Sequence, residues 1–193
     1  MSKGKHLFAR IMDADDADQI AFARHLCERH LANYPDHGPT LVVYARLLIS
    51  LGQYAPAQST LDHAQEIVPP ERLPLVLALR GDLLKQQGDL AGAEELYLSA
   101  LELSPDDATD LIYAGSVAFR SGNLERAKEH ARKATKCSEG CIEEAWFNLG
   151  GYLLSEQQYF EAADCYRRAL EIDPDYQLAA QRLRDVELII ADT

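Results

Sequence analysis

The chain's apolar residues fall in stripes with a helical period, interrupted at "LGQY", "QGDL", "SGNL" and "EQQY". A spacing of three and four puts such residues on one face of a helix, and a break containing Gly or a polar pair marks a turn. Each break therefore predicts the corner of a helical hairpin. Gly52, Gly88 and Gly122 occupy one equivalent site at these corners, and Gln157 stands there in the fourth. A left-handed backbone is easiest for Gly, so the last corner is expected to turn at a small cost.

The hairpins repeat one another. Trp146, Leu149, Gly150, Leu153, Ala162, Tyr166, Ala169 and Pro174 have counterparts at the same internal spacings in three earlier stretches. These begin near Gly38, Pro74 and Ala108, the fourth copy begins near Glu143, and the starts are 36, 34 and 35 residues apart. Small residues mark the helix crossings: Ala45, Gly81, Gly115 and Gly150 on first helices, and Ala57, Ala93, Ala127 and Ala162 on second helices. They permit close approach, while Trp146, Tyr97 and Tyr166 fill the wider gaps. Pro69, Pro105 and Pro174 end three of the units, and Glu139 takes that place in the third copy.

This pattern resembles the tetratricopeptide (TPR) repeat, with its Trp, Leu-Gly, Tyr, Ala and Pro positions and a period of about 34 residues. The resemblance implies an all-α fold, a right-handed superhelical solenoid of helix-turn-helix repeats. The expected organisation is a degenerate N-terminal unit over 1–37, repeats over 38–73, 74–107, 108–142 and 143–176, and a capping helix over 177–193, all in one solenoid domain. In "DYQLAAQRLRDVELIIADT", Ala179, Leu183, Val186 and Ile190 form one helical stripe suited to closing an open end. At the other end Ala23, Cys27 and Pro35 match a second helix, and the short "KHLFARIM" before it is expected to fray.

Composition narrows the function. The 193 residues are 47% hydrophobic, enough for a sizeable core, and no apolar run reaches the length of a membrane span. Nor does the N-terminus read as an export signal. A net charge of −12 disfavours nucleic acid and anionic lipid as partners. Four cysteines are too few for a disulfide scaffold and suit a reducing, cytoplasmic setting.

Candidate chemistry is sparse. Cys137 and Cys141 are four residues apart, but only His130 lies near enough in sequence to join a zinc set, so metal is not expected. "DADDAD" lacks the Gly and terminal Glu of a calcium loop and reads as helix capping. The six histidines fall mostly on charged faces and read as solvated. No nucleophile elbow, phosphate loop or dinucleotide fingerprint occurs, so neither an enzyme nor a cofactor is expected.

The resemblance directs attention to the concave surface, which in TPR proteins is lined by first helices and receives a peptide or a partner helix. Repeat phase places Val42, Arg46 and Ile49 there in the first full copy and Leu79, Asp82 and Lys85 in the second. The third supplies Ile112, Tyr113, Ser116, Phe119 and Arg120, and the fourth Phe147, Asn148 and Gly151. Asn148 matches an Asn that holds peptide backbone in the family, but its equivalents are Val43, Leu79 and Tyr113, so neither a carboxylate clamp nor an asparagine ladder is expected. An apolar lining with intermittent cations suits an apolar segment carrying a few acidic groups. The expected role is a scaffold or co-chaperone-like adaptor. Self-assembly into a homo-oligomer through "LII" at Leu188–Ile190, or service as a regulatory TPR subunit of a larger complex, are the alternatives.

Overall fold

The computed structural model describes residues 3–192, which form eleven α-helices and one 3-10 turn. They fall into two compact units, one ending at Asp89 and the other beginning at Leu90. Among the described residues the only extended pairing is an isolated parallel bridge between Asp107 and Glu139.

The first unit contains α1 (Lys3–Asp16), α2 (Ile20–Leu31), α3 (Gly38–Ser50), α4 (Tyr54–Ile67) and α5 (Leu73–Gln87), with the 3-10 turn Pro70–Arg72 before α5. The pairs α1/α2 and α3/α4 are hairpins, and α3 also packs on α2 and α5. Two core clusters hold them. Ile11 and Ala14 of α1 meet Ala23, Leu26 and Cys27 of α2 and Val43 and Leu47 of α3. Leu41, Ala45 and Leu48 of α3 meet Ala57, Leu61 and Ala64 of α4 and Val76, Leu79 and Leu83 of α5.

Against the expected fraying, "KHLFARIM" is helical throughout. The segment lies within the 14-residue α1, and Ile11 is wholly buried. Burying an Ile side chain stabilises by about 1.5–3 kcal/mol, enough to hold a helix whose composition alone looks weak. Close contact reinforces it, since a Cβ at Gly4 would come within 2.8 Å of the Tyr34 ring.

"DADDAD" also departs from its expected role. Asp13 to Asp16 form the last turn of α1, and α2 begins at Ile20, with Gln19 before it giving no side-chain cap. Caps do occur elsewhere. The Thr40 N–H donates to His37 Nδ1 at the start of α3, and Thr109 N–H donates to Asp107 at the start of the helix Ala108–Arg120.

The second unit contains α6 (Leu90–Leu103), α7 (Ala108–Arg120), α8 (Leu124–Ala134), α9 (Ile142–Ser155), α10 (Tyr159–Ile172) and α11 (Gln177–Ala191). Its main core joins Ala127 and Ala131 of α8, Leu149 and Leu153 of α9, Ala162 and Tyr166 of α10 and Val186 of α11. In α11, Ala179 and Val186 are fully buried and Leu183 and Ile190 partly so, the stripe expected of a closing helix. Gly150 lets α9 and α10 meet, because a Cβ there would stand 2.7 Å from the Tyr166 ring.

The corners follow the glycine pattern. Gly52, Gly88 and Gly122 have φ of +69°, +89° and +83°, and Gln157 adopts +62° in the fourth. A different link joins the corner before α7 to the loop before α9. Ala108 N–H donates to the Glu139 carbonyl (2.9 Å) and Glu139 N–H to that of Asp106 (3.1 Å). The Ser138 hydroxyl adds a bond to the Asp106 carboxylate (2.7 Å).

Candidate binding cleft

In the first unit α1, α3 and α5 leave between them a concave cleft of about 620 Å³. From α1 come Phe8, Met12 and Asp15; from α3, Val42, Val43 and Arg46; from the linker and α5, Val68, Pro69, Arg72, Leu75 and Leu79. The surface is mainly apolar because each of these helices turns one stripe into the core and an adjoining stripe, one residue on, into the cleft. Leu75, 42% exposed, is a large apolar side chain presented to solvent at this site.

The polar residues of the cleft are not equivalent. Asp15 has a side chain only 9% exposed and is bonded to the Arg46 guanidinium, itself 48% exposed. Arg72 is exposed and forms no ion pair among the described residues. Behind α1 and α3, the Cys27 thiol is pushed up to about 12 by burial, then by Asp15 and Glu28, with Arg46 opposing. It is a core thiol rather than a reactive one.

Phe8 also reaches a buried polar cluster. Its ring lies 4.9 Å from that of His37, and the His37 and His30 rings are 4.7 Å apart. Both histidines bond through Nδ1 to the Thr40 hydroxyl, at 2.8 Å for His37 and 3.0 Å for His30. Because the Thr40 N–H donates to His37 Nδ1, that nitrogen is the acceptor. The hydroxyl then donates to His37 and accepts from His30. Burial holds the His30 pKa below its usual 6.5, and His37 adds to the effect. His30 and His130 are 2% and 5% exposed, so the solvated reading is wrong for both. His130 Nε2 lies 2.8 Å from Glu94, which also pairs with Arg126.

Of the positions drawn from repeat phase, Val42, Arg46 and Leu79 line the cleft. Ile49 and Leu79 are 7% and 4% exposed and belong largely to the core. Asp82 and Lys85 pair with each other along α5. In the second unit Ile112, 4% exposed, packs with Ala134 and Ala145. Tyr113 is half-buried, its ring 5.4 Å from Tyr97. Phe119 and Arg120 are exposed, with the Phe119 ring 5.0 Å from Tyr152. Phe147 lies between Tyr166 (5.7 Å) and Tyr176 (5.1 Å), and Ser116, Asn148 and Gly151 are half-buried. Burial, then Glu144, pushes the Tyr152 phenol up to about 12.

Phe8, Met12, Asp15 and Arg72 escaped sequence reasoning. One signal pointed to the last. Pro69 stands eight residues before Leu77, whereas Pro105 stands six before Leu111, so the long first interval comes from two extra residues at the Pro70–Arg72 turn. Among the described residues no cluster of three metal-ligating side chains occurs, and no helix is long and apolar enough to cross a membrane.

Hairpins with left-handed corners at a 34–36-residue interval coincide with three family models. Each is described as "Tetratricopeptide repeat", and they match residues 13–83, 78–140 and 143–176. The chain belongs to the tetratricopeptide repeat family. This TPR chain is 35% identical over 98 residues to tetratricopeptide repeat protein 7A of Homo sapiens, a match covering 51% of the chain and 11% of that protein. It thus spans about a tenth of the length of that curated relative. Among solved structures, a TPR protein from Parabacteroides merdae aligns with a TM-score of 0.76 at 19% identity, over 94% of this chain and 70% of that one. The first TPR of Spaghetti (RPAP3), bound to HSP90 peptide SRMEEVD, aligns with a TM-score of 0.57 at 23% identity, over 64% and 99%. At these identities the TPR structures share the fold.

Proposed function

We propose that this TPR chain is a non-enzymatic protein-interaction scaffold whose first unit takes apolar side chains of a partner's peptide or helix into the cleft between α1, α3 and α5. The observation that carries this reading is the cleft itself, an open apolar concavity of about 620 Å³ on first helices. The neighbour bound to an HSP90 peptide supports peptide recognition on this fold, and a co-chaperone-like adaptor in a reducing cytoplasm is the form we favour. The net charge of −12 disfavours nucleic acid as the partner. In the second unit, exposed Phe119 and Arg120 with half-buried Tyr113 and Ser116 on α7, and half-buried Asn148 and Gly151 on α9, are proposed as a separate contact face.

Display of random dodecapeptides against the purified chain tests this. Selected peptides should be rich in paired apolar residues and lose at least roughly tenfold in affinity for Val42→Glu, which puts a charge in the cleft, but not for Phe160→Asp. Equal binding to both variants would place the interaction elsewhere. The alternative, self-association through the C-terminal helix, is favoured by Leu188 at 68% and Ile189 at 40% exposure. Sedimentation over a range of concentrations decides it: a monomer throughout removes it.

A further inference from the structure

We infer that the cleft of the first unit reads one acidic side chain and refuses a second, with Arg72 as the reader and Asp15 as the residue that closes Arg46 to ligand. This rests on the cleft being the binding site and specifies its ligand as an apolar segment bearing a single Asp or Glu. Two arginines reach the cleft, and their surroundings differ.

Arg46 is already satisfied by the Asp15 carboxylate, which is nearly buried on the α1 side. A ligand carboxylate approaching Arg46 meets an ion pair of zero net charge, and it would have to displace Asp15 or lie against a like charge. Arg72 stands on the two-residue insertion after Pro69, a turn that brings Val68, Pro69 and Arg72 together to the cleft wall. It is exposed and has no carboxylate partner among the described residues. On a chain with a net charge of −12, an unpaired guanidinium beside apolar surface is complementary to an acid flanked by apolar residues. The insertion thus supplies both a wall and a charge, while α1 supplies an internal substitute for the second acid.

The test uses three fluorescein-labelled dodecapeptides, blocked at both ends, which share a Leu-Leu-Phe core and carry no, one or two aspartates. On the wild-type chain one aspartate should tighten binding roughly threefold to tenfold, with the gain falling as salt rises, and the second should add nothing further. Arg72→Gln should bring the one-aspartate peptide to the affinity of the uncharged one. Asp15→Asn should let the second aspartate add a gain of its own. Since removing Asp15 could loosen α1, Arg46→Gln on an otherwise native chain serves as a second check and should leave the one-aspartate preference intact. A preference that survives Arg72→Gln, vanishes in Arg46→Gln, or grows with the second aspartate on wild type overturns the inference while leaving the cleft reading standing. Failure of all three peptides to bind defeats both.

Discussion

The two units use the same hairpin and fill their first-helix surfaces differently. In the second, aromatic rings cover that surface from within: Phe119 lies on Tyr152, Phe147 between Tyr166 and Tyr176, and Tyr113 on Tyr97. In the first unit the positions equivalent to Tyr113 are held by Val43 and Leu79 and those equivalent to Phe147 by Val42 and Ala78, all too short to bridge from one helix to the next, and a cleft remains. Side-chain reach thus distinguishes the first-helix surfaces of the two units. Aromatic side chains each cover 150–250 Å² or so and stack at the observed separations, so one extra ring per helix is enough to close such a space.

The sharpest way to break this contrast is to disturb the packing that creates it. Gly150→Leu would force the α9–α10 crossing apart against Tyr166 and should destabilise by about 1–3 kcal/mol or more, read as a lower thermal midpoint. Gly115→Ala is the control. Its new Cβ would meet neighbours at 3.4–3.6 Å, ordinary contact, and the midpoint should barely move. Equal effects of the two would mean that the aromatic filling is not tight.

Next in size are the corners. Gln157 holds a left-handed backbone that Gly holds at the three equivalent corners after α3, α5 and α7, so Gln157→Gly should stabilise by about 0.5–1 kcal/mol and Gly88→Ala should destabilise by about 1 kcal/mol. Chemical denaturation measures both. Opposite signs would overturn the strain argument.

A third, smaller effect separates the units by acid. The folded chain keeps the His30 pKa below 6.5, while the unfolded chain takes up the proton near that value. The stabilisation is therefore complete above pH 6.5 and declines as pH falls below it, since the unfolded state then binds more protons. Thermal midpoints should drop between about pH 7 and pH 5, less steeply in His30→Gln. An identical slope in the variant would assign the pH response to other groups. Smallest of all is Glu129→Lys, an exposed residue paired with Lys133 along α8, which should leave both stability and peptide binding unchanged.

Periodicity and the repeat spacing gave the hairpins, the left-handed corners and the stripe of α11, because each depends on residues close in sequence. The cleft was half legible. Val42, Arg46 and Leu79 follow from repeat phase, but α1 carries charged residues in nearly every turn and its role rests on Ile11 meeting Val43 and Leu47, thirty residues and more away. His30 and His130 were misread for the same reason. Thr40 and Glu94, which satisfy them, stand on other helices, and a histidine's neighbours in sequence do not say whether a hydroxyl or a carboxylate awaits it across a hairpin.

The backbone clasp between Asp106–Ala108 and Ser138–Glu139 bears on engineering of the chain. At Gly122 an added Cβ would meet nothing within 4 Å, so a reporter sequence spliced into that corner has open space around it and disturbs only the turn's local bonds, from Gly122 N–H to Phe119 and from Asn123 N–H to Ala118. Spliced in beside Gly140, the same insert would part three hydrogen bonds and crowd Thr109 and the N–H of Ala108, each 2.9 Å from where a Cβ would stand. The two connections, one of three residues before α8 and one of seven before α9, thus differ as insertion sites: one is a hinge for foreign sequence and the other a fastening.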